Sequence, residues 1–134
     1  MQNRDIQVII IDDETAFLDV LIKRLVKRGI QVTGANNGEN GISLFKSNPV
    51  DIVVLDVCMP GIDGIQTLKT IKTIQPWTQV ILLTGLTCLD TARVGMDLDA
   101  FDYMMKPIEM NELIYKLEDA YDKVRFLKKQ SGVE

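Results

Sequence analysis

The sequence predicts a three-layer α/β/α domain of the doubly wound type, in which helices cover both faces of a parallel sheet. Three observations predict it. The chain has 134 residues, which suits one domain of ordinary size. Short apolar runs alternate along it with segments whose apolar residues recur every three or four positions. The short runs are continuously apolar, which is typical of strands buried on both faces.

Five short apolar runs predict the strands. The first, third and fourth runs are the clearest, because they consist almost entirely of Val, Ile and Leu. The second and fifth are shorter and contain polar residues. In chain order the predicted strands are residues 6–11, 30–33, 50–55, 80–83 and 100–104.

Five segments predict the helices, because their apolar residues fall on one helix face. Gly29 ends the first helix, and the second ends before Pro49. The fourth segment, residues 87–98, contains Gly95, which lowers its helix propensity. The apolar faces consist of Phe17, Leu18, Leu21, Ile22 and Leu25; Ile42 and Phe45; Ile65, Leu68, Ile71 and Ile74; Leu89, Ala92 and Met96; and Leu113, Ile114, Leu117, Ala120, Tyr121 and Val124.

Charge and composition exclude several classes of protein. The formal net charge is −4 and the pI is about 4.8, so we expect no nucleic-acid-binding surface. The sequence lacks both a signal peptide and an apolar run long enough to span a bilayer, so we expect a cytoplasmic protein without membrane contact. The segment 125–134 is charged and is expected to fray. We therefore divide the chain into a domain at 1–127 and a polar tail at 128–134.

The chain contains no histidine and two cysteines. The absence of histidine excludes Ser-His-Asp triads and His-ligated zinc, so any chemistry must use carboxylates, hydroxyls, lysine or a hard metal ion. Cysteines of a cytoplasmic protein are usually reduced, so we expect no disulfide between Cys58 and Cys88.

Carboxylates follow two of the clearest predicted strands. Asp12 and Asp13 come directly after the first strand, and Asp56 follows the third. An N-cap and an acid in the first helical turn would explain Asp12, Asp13 or Glu14, but they do not explain Asp56. Carboxylates that lie close together repel unless a cation is present, and oxygen ligands favour Mg²⁺. One of these carboxylates could then attack a phosphoryl group.

A hydroxyl and an ammonium group follow the last two predicted strands. Thr84 ends the fourth strand, before Gly85, and Lys106 follows the fifth, before Pro107. Alone, the two residues are equally compatible with an ordinary strand threonine and a surface lysine. Ligands of doubly wound sheets bind beyond the carboxyl ends of the strands, so the complete set predicts a phosphoryl-binding site there.

These motifs resemble the receiver domain of two-component response regulators, and the resemblance covers nearly the whole chain. Four stretches carry it in the expected order: VIIIDDE at 8–14, DVCMPGIDG at 56–64, LTG at 83–85 and AFDYMMKP at 100–107. The resemblance implies a flavodoxin-like (βα)5 fold with sheet order 2-1-3-4-5. One departure is Asp99, which stands where the family usually has glycine.

The resemblance also implies a role for each site residue. Asp56 would accept a phosphoryl group from a phosphohistidine on a sensor histidine kinase or phosphotransfer protein. Asp12, Asp13, Asp56 and the backbone carbonyl of Cys58 would bind Mg²⁺. Thr84 and Lys106 would hold the phosphoryl oxygens, and Tyr103 would be an aromatic switch that responds to Thr84. The Lys106–Pro107 peptide would be cis.

The implied output is a protein-binding surface formed by the fourth helix, fifth strand and fifth helix, on a monomer or a phosphorylation-dependent homodimer. Self-dephosphorylation would be slow, because Cys58 and Leu86 orient a water molecule poorly. An excised receiver of a longer regulator is the main alternative. A phosphatase with an aspartyl nucleophile is disfavoured, because it needs an acid at the position of Cys58. We therefore expect no enzymatic function beyond self-catalysed phosphoryl transfer and self-dephosphorylation.

Overall fold

The computed structural model describes residues 5–59 and 64–132. It contains one five-stranded parallel sheet in the order β2-β1-β3-β4-β5, and five helices alternate with the strands. The predicted doubly wound, flavodoxin-like fold is confirmed. The elements are β1 Gln7–Ile11, α1 Thr15–Lys27, β2 Gln31–Ala35, α2 Gly38–Ser47, β3 Ile52–Asp56, α3 Gly64–Ile74, β4 Gln79–Thr84, α4 Leu89–Asp97, β5 Asp102–Met105 and α5 Met110–Gln130.

The central strands are buried on both faces, which explains why their sequences are continuously apolar. Every residue of β3 and β4 is buried, and β1 pairs in parallel with both β2 and β3. One face of the sheet packs against α1 and α5, and the other packs against α2, α3 and α4. The helix residues at the centres of these two clusters are Leu18, Leu25, Leu113 and Leu117 on the first face and Phe45, Leu68, Ile71 and Ala92 on the second.

Helix α4 lies close to the sheet because of Gly95. A Cβ atom at this position would lie 2.5 Å from Leu82 Cδ1, and Leu82 is fully buried in β4. The glycine that weakens the helical sequence pattern therefore permits the close packing of α4 on β4. A short 3-10 turn at Leu86–Cys88 leads from β4 into α4.

Helix α5 extends further than the sequence predicts. It ends at Gln130, so the expectation that the chain frays from Arg125 onward is wrong for residues 125–130. Lys128 Nζ lies 3.0 Å from Asp51 Oδ1 and 6.0 Å from the centre of the Trp77 ring, and both contacts hold the end of the helix against the sheet. None of the helices within the described residues has the length and hydrophobicity needed to cross a membrane.

The two cysteines form a disulfide, and the expectation that they are reduced is therefore wrong. Cys58 and Cys88 are 30 residues apart in sequence, but their Cα atoms lie 5.9 Å apart, a separation that suits a disulfide. Each cysteine lies in the loop after one of two adjacent parallel strands, β3 and β4. The expectation rests on the reducing conditions of the cytoplasm, and the sequence alone does not show that the fold brings the two cysteines together.

Asp99 has a left-handed backbone conformation, with φ of 73°, at the turn between α4 and β5. Its side chain lies 3.3 Å from Lys72 Nζ but is 75% exposed, so this ion pair stabilises the turn only weakly.

Glycine adopts the left-handed conformation of Asp99 without a steric cost, whereas alanine does not. We predict that Asp99→Gly is more stable than Asp99→Ala by about 1 kcal/mol, as measured by urea unfolding.

Lys72→Met leaves the Asp99 backbone unchanged and sets an upper limit on the ion pair, because it also removes the hydrogen bond from Lys72 Nζ to the Thr78 carbonyl at 2.9 Å. Equal unfolding midpoints for the Gly and Ala variants would show that backbone conformation does not limit stability at this turn.

Candidate functional site

The candidate site lies at the carboxyl edge of the sheet, where four strands deliver polar side chains. Asp12 follows β1, Asp56 ends β3, Thr84 ends β4 and Lys106 follows β5. Because all five strands are parallel, these ends meet at one edge. Asp12 and Thr84 are fully buried and Asp56 is 2% exposed. Buried polar side chains of this kind require partners, and here the partners are Lys106 and nearby backbone groups.

Three carboxylates have the arrangement of a cation site. Each of Asp12, Asp13 and Asp56 offers an oxygen within 4.8 Å of the other two. In an octahedral Mg²⁺ site opposite ligands are about 4.2 Å apart, so a small contraction would accommodate the ion. Asp12 Oδ2 is buried, and its close partner among the described residues is the Lys106 ammonium group at 2.8 Å. A buried carboxylate oxygen that is held by a cation and lies beside two further carboxylates fits a hard divalent cation.

Backbone N–H groups hold the two buried carboxylates in place. The Glu14 N–H donates to Asp12 Oδ1 at 2.9 Å, and the Cys58 N–H donates to Asp56 Oδ1 at 2.8 Å. One oxygen of each carboxylate is thereby fixed, and the other oxygen faces the Lys106 ammonium group. Glu14 occupies the N-cap position of α1, but its side chain makes no capping hydrogen bond. A helix N-cap therefore does not explain the side chains of Asp12 and Glu14.

Lys106 is the cation at the centre of these carboxylates. Its Nζ lies 2.8 Å from Asp12 Oδ2 and 3.4 Å from Asp56 Oδ2, and it also contacts Glu14 Oε1. Its ammonium group lies 4.4 Å from the centre of the Phe17 ring, a favourable cation–π geometry. The backbone holds the residue as well, because the Lys106 N–H donates to the Thr84 carbonyl at 2.8 Å. The Lys106–Pro107 peptide bond is cis.

The electrostatics of the site change the pKa values of Asp12 and Lys106. Burial raises the pKa of Asp12, and hydrogen bonds from Lys106 and the Glu14 N–H offset this effect only in part. Burial by itself would lower the pKa of Lys106, but the carboxylates of Asp12 and Glu14 outweigh burial and raise it. The protonated form of Lys106 is therefore favoured, whereas burial disfavours the ionised form of Asp12.

Thr84 and Tyr103 lie beside this cluster. The Thr84 hydroxyl donates to the Gly85 carbonyl at 2.9 Å, so it is engaged with its own loop. Gly85 leaves open space above the site, because a Cβ there would meet nothing within 4 Å. Tyr103 is in register with Leu82 of the neighbouring strand, and 42% of it is exposed.

The structure brings together the sequence-predicted residues Asp12, Asp13, Asp56 and Lys106, and places Thr84 at the end of the adjacent strand. It adds two residues that sequence reasoning missed. Glu14 was seen only as a possible cap, and Phe17 was assigned to the apolar face of the first helix. No signal in the sequence shows that their side chains meet Lys106, because that lysine is 92 positions from Glu14. The motif residues Pro60, Gly61, Ile62 and Asp63 lie outside the described residues.

Comparison with known proteins supports the resemblance to receiver domains over most of the chain. A family model described as response regulator receiver domain matches residues 8–118. The transcriptional regulatory protein ZraR of Klebsiella oxytoca is 32% identical over 90% of this chain and 27% of its own length. The regulatory protein AtoC of Escherichia coli K12 is 35% identical over 80% of this chain and 23% of its own length.

A solved structure shows the same similarity over its full length. The crystal structure of a response regulator receiver domain protein from Clostridium thermocellum has a TM-score of 0.87 and 32% identity, and the match covers 91% of this chain and 98% of that one. By contrast, the chain spans only about a quarter of the curated relatives ZraR and AtoC.

We predict that Asp12→Asn stabilises the metal-free protein at neutral pH by about 1 to 2 kcal/mol, because it removes a buried charge while Lys106 keeps Glu14 and Asp56 as partners. The pKa of Asp12 is raised, so the folded state binds this proton more tightly than the unfolded chain. The wild-type contribution of Asp12 to stability therefore falls as pH rises from its ordinary pKa of 3.8 to the folded value. Urea unfolding across this pH range should show that the free energy of unfolding of Asp12→Asn lacks the pH-dependent contribution of Asp12.

The Mg²⁺ dependence should change in the opposite sense. Saturating Mg²⁺ should stabilise the wild type by about 2.7 kcal/mol at a hundredfold excess over Kd, and should stabilise Asp12→Asn far less. Asp51→Asn, at the other end of β3, is the charge-matched control. The same Mg²⁺-dependent increase in both variants would remove Asp12 from the cation site.

Proposed function

The chain belongs to the response regulator receiver domain family of two-component systems, and on this premise we propose that Asp56 accepts a phosphoryl group from a phosphohistidine on a sensor histidine kinase or phosphotransfer protein. The observation that carries the proposal is the position of the Asp56 carboxylate. Its Oδ1 is fixed by the Cys58 N–H, and its Oδ2 points toward Lys106 at a cluster of cation ligands. The sequence contains no histidine, so the donor histidine lies outside these 134 residues.

The transfer exchanges one bond for another. Asp56 Oδ2 attacks phosphorus while the bond from phosphorus to the imidazole nitrogen of the donor breaks, and the electron pair of that bond stays on the imidazole. The product is an acyl phosphate on Asp56. The Cys58 N–H at Oδ1 and the Lys106 ammonium group beside Oδ2 hold the Asp56 carboxylate in position for this attack.

Asp12, Asp13, Asp56 and the Cys58 carbonyl would hold Mg²⁺ at this edge. When bound, the ion neutralises phosphoryl oxygens that would otherwise be repelled by the carboxylates. Lys106 would exchange its contact with Asp56 Oδ2 for a phosphoryl oxygen, and the Thr84 hydroxyl would leave the Gly85 carbonyl to donate to another. Tyr103 is free to change rotamer, because much of its ring lies at the surface.

The proposed output surface is formed by α4, β5 and α5, and we propose that it binds a downstream protein or a second copy of the chain. Five exposed or half-exposed large apolar side chains support a protein partner: Val94, Leu98, Tyr103, Met105 and Tyr115. The modest negative net charge gives no support for direct nucleic-acid binding. The proposed setting is the cytoplasm, where a sensor kinase would deliver the phosphoryl group.

An excised receiver of a longer regulator is the second candidate, with the receiver at 1–127 followed by the segment 128–134, of which Lys128 still contacts Asp51. The length of the curated relatives favours it, because ZraR and AtoC extend far beyond the matched region. Enzymatic activity beyond self-catalysed phosphoryl transfer and self-dephosphorylation has little support. The position at which an aspartyl phosphatase needs a general acid is occupied by Cys58, a disulfide-bonded cysteine.

We predict that acetyl phosphate and Mg²⁺ add one phosphoryl group to the wild-type chain, as measured by intact mass, and that Asp56→Asn abolishes the addition. The physical reason is that the amide lacks the nucleophilic carboxylate oxygen. Asp51→Asn makes the same change of charge at the opposite end of β3, and this variant should be phosphorylated like the wild type. Addition that persists in Asp56→Asn, or that is unaffected by chelation of Mg²⁺, would overturn the proposed function.

We predict that the acyl phosphate is long-lived, because Leu86 is apolar, 77% exposed and placed beside the site, where it cannot orient an attacking water. Leu86→Asn should accelerate self-dephosphorylation by roughly 3- to 10-fold, since one well-placed hydrogen bond corresponds to about 1 kcal/mol in the barrier. Loss of the phosphoryl mass over time measures the rate. Val94→Asn, an exposed substitution on α4, is the control. A wild-type half-life of seconds that Leu86→Asn does not shorten would contradict the prediction.

A further inference from the structure

The Cys58–Cys88 disulfide joins the two loops that carry the phosphoacceptor and the threonine of the proposed site. Cys58 lies two residues after Asp56, at the end of β3. Cys88 lies four residues after Thr84 and is the N-cap residue of α4. Because β3 and β4 are hydrogen-bonded neighbours, the disulfide and the hydrogen bonds between these strands together close a short ring that contains both Asp56 and Thr84, and the disulfide is its covalent cross-link.

The contacts within this ring hold the loops in one arrangement. The Cys58 N–H orients the Asp56 carboxylate, and the Val57 N–H donates to the Leu83 carbonyl at 3.0 Å. On the other side the Cys88 N–H donates to the Gly85 carbonyl at 3.1 Å, the same carbonyl that accepts the Thr84 hydroxyl. The Gly85 carbonyl therefore holds the Thr84 hydroxyl within the segment that the disulfide anchors.

The disulfide is open to chemical attack from solvent. Cys58 is exposed, whereas Cys88 is half-buried and packs against the core cluster beneath α4. A dithiol can therefore reach the Cys58 sulfur. These are the only two cysteines of the chain, so neither thiol can exchange with a third within the same molecule.

We propose that the Cys58–Cys88 couple is a redox switch that controls phosphoryl transfer at Asp56 and the mobility of the start of α4. A thiolate of a dithiol reductant attacks the Cys58 sulfur, the S–S bond breaks and Cys88 leaves as a thiolate. The second thiol of the reductant then releases Cys58, so two electrons and two protons pass to the chain and the reductant becomes a disulfide. The inference rests on the proposed function, because its output is the reactivity of Asp56.

Reduction removes the link between the phosphoacceptor loop and α4. The segment 85–88 can then shift, and the Thr84 hydroxyl can leave the Gly85 carbonyl to reach a phosphoryl oxygen. The oxidised chain keeps the hydroxyl where the structure shows it. The reduced chain is therefore the more reactive form, and the oxidised chain is held in the unphosphorylated arrangement.

The test compares oxidised and reduced full-length protein, the latter treated with dithiothreitol and desalted without oxygen. Alkylation followed by intact mass should find no free thiol in the first and two in the second. With acetyl phosphate and Mg²⁺, the reduced protein should be phosphorylated about fivefold faster. Cys88→Ala and Cys88→Ser, which leave Cys58 unchanged beside Asp56, should match the reduced rate under both conditions. Because Cys88 packs against the core, thermal unfolding checks that each variant is folded.

Hydrogen exchange on the unphosphorylated protein gives a readout that does not depend on Asp56 chemistry. Residues 85–98 should exchange faster after reduction, while α5 should be unchanged. Equal phosphorylation rates in the two forms overturn the proposal, as do free thiols in the oxidised preparation. If neither form is phosphorylated, the proposed function fails, and hydrogen exchange alone decides whether the disulfide controls α4. Equal protection of residues 85–98 then overturns the inference.

Discussion

The constraint on which the rest of this structure depends is the confinement of like charges at a buried edge of the sheet. The carboxylates of Asp12 and Asp56 are almost entirely removed from solvent, and Asp13 lies beside them. Burial and mutual repulsion both disfavour ionised carboxylates, so such a cluster persists only where a cation and directed hydrogen bonds oppose them. Lys106 and two backbone N–H groups do this here. Each of these groups is placed by the end of a parallel strand.

The sheet holds this arrangement because its strands are rigid and their register is fixed. Apolar residues fill both faces of β1, β3 and β4, so a shift of one residue would move a whole set of side chains between two different cores. The loops that follow β1, β4 and β5 are short and contribute no buried apolar side chain to the core. A rigid base with adaptable edges allows the site to exchange partners while the fold stays constant.

The fold and most of the site could be predicted from local sequence. Continuous apolar runs predict the strands. The polar residues at the ends of these runs predict the site residues Asp12, Asp56, Thr84 and Lys106. What could not be predicted depends on contacts between distant residues. The Lys106 contacts with Glu14 and Phe17, the disulfide, and the ion pair that holds Lys128 at the end of α5 all join residues far apart in the chain. Periodicity contains no information about such pairs.

Charge balance explains how one lysine would serve both the resting state and the proposed phosphorylated state. Four carboxylates surround the Lys106 region, so the site has a negative excess even with the ammonium group present. A phosphoryl group adds further negative charge, which this cluster could accommodate only if a divalent cation occupied the carboxylates. That ion would in turn weaken the hold of Asp12 and Asp56 on Lys106. The lysine would then be released toward the phosphoryl oxygens, so occupation of the cation site and capture of the phosphoryl group favour each other.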